Sequence, residues 1–402
     1  MTRIIVLDID GVLIEPLGYL KALQDTVLHF SRAMGVGDWP PTIEGIRAFE
    51  AAGLSSEWDM GAACVTLLLT ERLLAQPEPE LPSEWPQALA FLGSRSCLLS
   101  NPEYAGLALD AGKEMASQQA PAQAVRAVLS ARLRRDALGN TALAVLDEVL
   151  LTRLHSFFDA PVTRVFQHMA LGSENISETY GVAPSLESQS YLELYDRPLL
   201  SPRMCAELKA ASDAGCRSVL CTLRPSLAPD GEAARGHGLS PEAEMARDVL
   251  GLNGVPLIGR GHVRWLARRV GEPLVRLVKP FPVQALAAIA AAASGSEADA
   301  LLAAHQLYRG GELRGPLAEL EESEIHVFED TRNGLAAFER AYQVLRSAGG
   351  RVQLHSWGIS GGIAAKGEAL RAAGATVFQN VNQALCHVLA EPECAEKKRE
   401  GG

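Results

Sequence analysis

No long basic tract interrupts the acidic balance of this 402-residue chain, whose formal net charge is −11. Non-specific nucleic-acid binding relies on grouped Lys and Arg that neutralise phosphates, so no nucleic-acid partner is expected. An anionic ligand must instead be attracted by a local site, against a weakly repelling global field. Also missing is any apolar run near the ~20 residues of a membrane span, so no membrane partner is expected. The seven cysteines (64, 97, 205, 216, 221, 386 and 394) are odd in number and without CxxC spacing. That argues against a disulfide framework or a zinc site and fits reduced thiols in a cytosol. The nine histidines show no metal-ligand spacing, and no internal repeat is evident. No leader peptide is expected, because a structural strand begins at Arg3. A soluble, cytoplasmic protein is the expectation. Its 48% hydrophobic and 21% charged residues suit a globular chain with a full core, and its length allows two or three domains.

The rest of the chain is organised around its first fifteen residues, MTRIIVLDIDGVLIE. Ile4, Ile5, Val6 and Leu7 form an unbroken apolar run, the pattern of a strand buried on both faces. Two carboxylates, Asp8 and Asp10, follow directly, then Gly11. Carboxylates at the carboxyl end of a central strand stand where open α/β sheets place ligands. The competing reading is an Asx-turn in which both aspartates merely cap backbone amides.

From 200 onward, helix and strand patterns alternate. A helix over 202–214 stops at Gly215, as helices commonly do. Strands follow at 217–222, at 255–258 after a helix near 240–250, at 325–328 and at 351–354, and an Ala-rich helix opens after Val278-Lys279-Pro280. Apolar strands separated by helices predict a doubly wound parallel α/β sheet, and the strand at 3–7 is too apolar to stand outside it. Residues 17–195 are helical in pattern, with a Pro-rich linker at 77–86 and breaks near Asn101-Pro102 and Leu138-Gly139-Asn140. They read as an insertion after the first strand, folded as a separate lid. The expected division is therefore a discontinuous core of 1–16 and 196–390, a helical cap of 17–195, and a disordered tail of 391–402 rich in Glu and Lys.

The strand ends supply Asp8 and Asp10, then Thr222, then Glu329 and Asp330, with Lys279 at a helix start. Carboxylates meeting at one edge repel unless a hard cation sits among them, and an oxygen-only ligand set points to Mg²⁺. Thr222 can give a directed hydrogen bond and Lys279 a point charge to a phosphoryl group. In such a pocket Asp8 can attack phosphorus and form an aspartyl-phosphate. Asp10 is placed to protonate the leaving alkoxide and later to deprotonate water.

The ordered set DxDGVL (8–13), a strand ending in Thr222, Lys279-Pro280 and FED (328–330) resembles the four-motif signature of the haloacid dehalogenase (HAD) superfamily over the whole core. The insertion resembles the helical cap of that superfamily's phosphatase and sugar-phosphate mutase branches. Within it, FEAAGLSSEWDMGAA (49–63) is similar to the A-G-G-x-x-x-D-W-D-L stretch of a phosphatase-like subgroup, and TLRP (222–225) to its TGRP. The resemblance implies Asp8 as nucleophile and Asp10 as acid/base. It implies Mg²⁺ held by Asp8, the Asp10 carbonyl and Asp330, with Glu329 either a ligand or the partner of Lys279. Dehalogenases of the superfamily lack the second aspartate, so dehalogenation is disfavoured.

Three departures stand out. The cap, at ~180 residues, is large. Lys279 lies 50 positions before Glu329, with 291–323 reading as an inserted excursion. Gly334 stands where many relatives carry another carboxylate, which favours the Glu-Asp version of the metal site. Arg224 reads either as a clamp for a second anionic group of the substrate or as a solvated loop arginine. Trp58, beside Asp59, either lines the substrate pocket or belongs to the cap's core. His326 and Cys221 read as core, and Tyr191 with Tyr195 as packing at the lid hinge. The expected function is Mg²⁺-dependent hydrolysis of a small phosphorylated metabolite. The alternatives are a sugar-phosphate mutase and a non-catalytic binding protein that keeps the fold.

Overall fold

Strand β1 (Thr2–Leu7) is the spine of the sheet. Ile4, Ile5, Val6 and Leu7 are buried, because a strand flanked on both sides and covered on both faces has no solvent edge for polar residues. The computed structural model describes residues 2–54, 56–115, 120–135, 139–151, 154–231, 238–320 and 322–390. The expected tail at 391–402, and Leu138 of the predicted break, lie outside the described residues. The chain divides into two compact units, one taking the segment up to Pro16 with most of the chain from Asp196 onward, the other Leu17–Tyr195.

In the first unit β4 (Arg217–Cys221), β5 (Leu257–Ile258), β6 (Ser323–Glu329), β7 (Val352–Ile359) and β8 (Thr376–Phe378) join β1 in a six-stranded sheet of order β5-β4-β1-β6-β7-β8, every pairing parallel. This is an α/β fold with a Rossmann-like core. The chain winds outward from β1 through β4 and β5, then crosses to β6 on the other side. β1 is therefore the switch point, at whose carboxyl end such sheets open a crevice. Two short strands, β2 (Ile14–Glu15) and β3 (Arg197–Pro198), pair antiparallel where the chain leaves and re-enters this unit.

The sheet departs from the sequence reading in three places. The fifth strand runs on to Ile359, five residues past the expected 354, and a sixth follows at Thr376–Phe378. A helix over Arg260–Val270 went unpredicted; it shows Val263, Leu266 and Ala267 to the interior and arginines elsewhere. The excursion expected at 291–323 instead contains the helix Glu297–Tyr308, with Ala300, Leu301 and Ala304 fully buried, so it extends the core.

In the second unit the helix Glu57–Ala75 is buried along nearly all its faces, as befits a helix apolar all round. Arg72 on it is fully buried and paired at 3.0 Å with Glu78, which also takes Arg95 at 2.9 Å. Glu78 belongs to the stretch expected to be a Pro-rich linker; the ion pairs pin that stretch down, and its end, Trp85, already begins a helix. Among the described residues no helix is long and apolar enough to cross a membrane.

Candidate active site

Register places the first acidic residues. Leu7 pairs with Leu220 on one side and Phe328 on the other, so the next residues along, Asp8, Cys221 and Glu329, stand abreast at the carboxyl edge. Asp8 N–H donates to the Phe328 carbonyl at 3.1 Å. Lys279 reaches the same edge from the turn before the helix Pro282–Ser294. Gln284, wholly buried, ties that turn to the strand end: its Oε1 accepts from Lys279 N–H at 3.2 Å and its Nε2 donates to the Thr222 carbonyl at 2.8 Å. The sequence reading missed Gln284, whose signal was a glutamine inside an Ala-rich apolar helix.

The Lys279 ammonium donates to Asp8 Oδ1 at 3.0 Å, to the Cys221 carbonyl at 2.8 Å and to Glu329 Oε1. An ammonium has three donors, and all three are engaged within the protein. Lys279, expected to bind phosphate, thus orients Asp8 and Glu329. Burial, then the charge of Glu329, pushes the Asp8 carboxyl well above its ordinary range, against the pull of Lys279. Glu329 is pushed up by burial and held back by Lys279. Asp330 is pushed up by burial and held back by Lys366. Burial disfavours the Lys279 ammonium, but Asp8 and Glu329 outweigh it and hold its pKa well above the lysine range.

Asp10 lies two residues on and is about one-third exposed. Arg224 donates to its Oδ1 from Nε at 2.8 Å and from Nη2 at 2.6 Å. The same Nη2 donates to Asp196 Oδ2 at 2.9 Å. The reading of Arg224 as a solvated loop arginine is corrected: it is 3% exposed and donates to two carboxylates. A charged side chain can be buried there because its counter-charges are buried with it. Thr222 is 1% exposed, and its Oγ1 accepts from the Arg224 N–H at 3.1 Å. Among the described residues no acceptor meets its own O–H.

Asp330 contacts Lys366 Nζ at 2.6 Å. Two glycines give the acidic groups room. Gly11, at φ +72°, packs on Asp330 where a Cβ would collide, and a Cβ on Gly334 would fall inside the Glu329 carboxylate. Asp8, Glu329 and Asp330 each offer an oxygen, and these lie within 4.8 Å of one another, the one such metal-ligand grouping among the described residues. At their ionised charges, Asp8, Asp10, Asp196, Glu329 and Asp330 face Lys279, Arg224 and Lys366. Among the described residues of this group five negative charges stand against three positive, and hard oxygen donors suit Mg²⁺. The residues present fit such an ion. Asp8, Glu329 and Asp330 are the ones that would hold it, each with one oxygen taken by a lysine and the other not.

Trp58 lies in the other unit, where it is 8% exposed and edge-on to His155, whose Nε2 is 3.4 Å from both Asp59 oxygens. It is buried within that unit. Tyr191 stacks edge-on with Tyr195 and donates to Asp25 at 2.9 Å. His326 is buried, accepts from Trp357 Nε1 at 3.2 Å and stacks on His355. Cys221 is fully buried and contributes its carbonyl.

No family model and no curated protein matches the chain. Among solved structures, the X-ray structure of Northeast Structural Genomics Consortium target ZR25 superposes with a TM-score of 0.60 at 16% identity, covering 97% of this chain and 100% of that one. That likeness establishes a shared fold. The phosphatase Tt82 from Thermococcus thioreducens superposes with a TM-score of 0.45 at 14% identity, covering 96% of this chain and 99% of that one, too low to carry an argument.

Proposed function

We propose that this chain is a Mg²⁺-dependent phosphomonoester hydrolase of the haloacid dehalogenase superfamily, acting on a small phosphorylated metabolite. One observation carries the reading: Asp8, at the carboxyl end of the switch-point strand, is held by Lys279 within a buried carboxylate cluster that is short of positive charge. A protein that needed only a stable core would not gather three largely buried carboxylates about two lysines, since uncompensated buried charge costs several kcal/mol, on the order of 3–5. A divalent cation, when bound, would neutralise phosphoryl charge and hold Asp8 ionised.

The chain's own residues account for the chemistry. Lys279 fixes Asp8 Oδ1, leaving the other carboxylate oxygen to attack phosphorus in line. As the aspartyl–phosphorus bond forms, the bond from phosphorus to the leaving oxygen breaks, and that oxygen takes the proton of Asp10. Asp10, now a carboxylate, removes a proton from water, which attacks phosphorus and restores Asp8. The Thr222 hydroxyl is available to donate to a phosphoryl oxygen.

The test is a phosphate-release screen over sugar phosphates, nucleotides, phosphoglycolate and amino-acid phosphates, with and without Mg²⁺. Asp8→Asn keeps the size of the side chain and removes the attacking charge, so activity should fall at least about a thousandfold. Undiminished release by that variant would remove Asp8 from its role.

A further inference from the structure

We infer that Arg224 is a positioning residue for Asp10, and that Asp196 keeps Arg224 in that role; this rests on the reading of Asp10 as acid/base. The two guanidinium contacts to Asp10 both fall on Oδ1, from Nε and Nη2. Among the described residues Oδ2 has no hydrogen bond. One oxygen is therefore pinned and the other remains to carry the proton: Oδ2–H gives it to the leaving oxygen in the first half-reaction, and Oδ2 recovers one from water in the second.

Asp10 cannot hold this orientation through burial alone, being 34% exposed at the side chain, whereas Arg224 and Asp196 are 1% and 2% exposed. The rigid member is the buried ion pair, and Asp10 is docked onto it. Arg224 is further tied through its backbone: its N–H donates to Thr222 Oγ1 and its carbonyl accepts from Arg260 N–H at 3.0 Å. A planar fork that is always charged suits this task, since it fixes the direction as well as the distance of its partner. Nη2 is shared between Asp10 and Asp196, at 2.6 and 2.9 Å, so loss of Asp196 would free the guanidinium to shift away from Asp10. Asp196 is also the residue at which the chain re-enters this unit, a position that no motif in the sequence singles out.

The test compares phenyl phosphate with p-nitrophenyl phosphate, whose leaving group hardly needs a proton. General acid catalysis is worth roughly 10²–10⁴-fold, so Arg224→Met should lower turnover of phenyl phosphate at least about tenfold more than that of p-nitrophenyl phosphate. Arg224→Lys and Asp196→Asn should shift the ratio in the same direction and less. In an Asp10→Asn background, Arg224→Met should leave the ratio unmoved. A residue that merely supports the fold would depress both substrates equally, and an unchanged ratio in Arg224→Lys and Asp196→Asn overturns the inference. If Arg224→Met does not fold, those two variants decide. Asp8→Asn separates the two readings. Should it retain full release of both phosphates, the hydrolase mechanism itself fails; should it silence both while the Arg224 and Asp196 variants keep the wild-type ratio, only the positioning role fails.

Discussion

Gly334 sits in the first turn of the helix Arg332–Ser347, where its N–H donates to the N-cap hydroxyl of Thr331 at 3.1 Å. Helix propensity alone predicts that Gly334→Ala stabilises the protein, by about 1 kcal/mol. The structure predicts the opposite sign. A Cβ at this position would overlap the Glu329 carboxylate, which is 1% exposed and gripped by Lys279. Its side chain has no solvent to retreat into, so the overlap is relieved only by breaking the pair. Leaving a buried charge without its partner costs roughly 3–5 kcal/mol. Set against the propensity gain, the net destabilisation is about 2–4 kcal/mol. For a unit of this size that lowers the midpoint of thermal unfolding by roughly 5–15 °C. Urea denaturation should show the loss as a lower midpoint with an unchanged slope. In a Glu329→Ala background the obstruction is gone, and Gly334→Ala should recover its gain of about 1 kcal/mol. A Gly334→Ala protein as stable as wild type would refute the packing argument.

Mg²⁺ should stabilise the folded protein by about 2.7 kcal/mol at a hundredfold excess over its Kd, read as a rise in unfolding temperature. The rise should shrink as pH falls, since burial has raised the carboxyls that must be ionised to bind it, and should vanish in Asp330→Asn; a flat response in wild type would remove the cation. Burial pushes the Glu244 carboxyl up to about 7, with Oε1 accepting from Leu227 N–H at 3.0 Å and Oε2 buried without a hydrogen-bond partner among the described residues. The folded state then holds a proton that the unfolded state has lost between about pH 4.5 and 7, so stability falls as pH rises through that window. Glu244→Gln should remove this slope and be more stable than wild type at pH 8; an unchanged pH profile would show that Glu244 titrates normally in the fold.

The features legible in the sequence were those carried by contiguous residues. Four apolar runs, three of them with chemistry-bearing ends, located β1, β4, β5 and β6, because a strand buried on both faces must be apolar at every position. The run at β7 was cut short at 354 because His355 and Ser356 interrupt it; in the fold, His355 stacks on His326 and lies beside Trp357. That truncation hid Lys366, which becomes conspicuous only once the strand is seen to end at Ile359 and the helix Ala364–Ala372 to start beside the site. Gly334 was noted as a missing carboxylate by resemblance. Its physical reason is that Glu329 fills that space from the strand end, and two carboxylates would not fit there.

Apart from Glu329, offered by resemblance as a partner of Lys279, the partners of the charges stayed out of reach for a different reason. Lys279 and Asp8 are 271 positions apart, and Arg224 and Asp10 are 214 apart; no local pattern encodes such pairs. Arg224 was read as a clamp or a solvated residue because an arginine two positions past a strand end borders solvent in most loops. What reverses that expectation is Asp196. With both its neighbours acidic and Asp196 itself buried, the guanidinium is more stable inside than out, and the cost of burying the pair is offset only while both partners remain. It follows that Asp196→Asn should reach Asp10 through Arg224, which the leaving-group ratio reads directly.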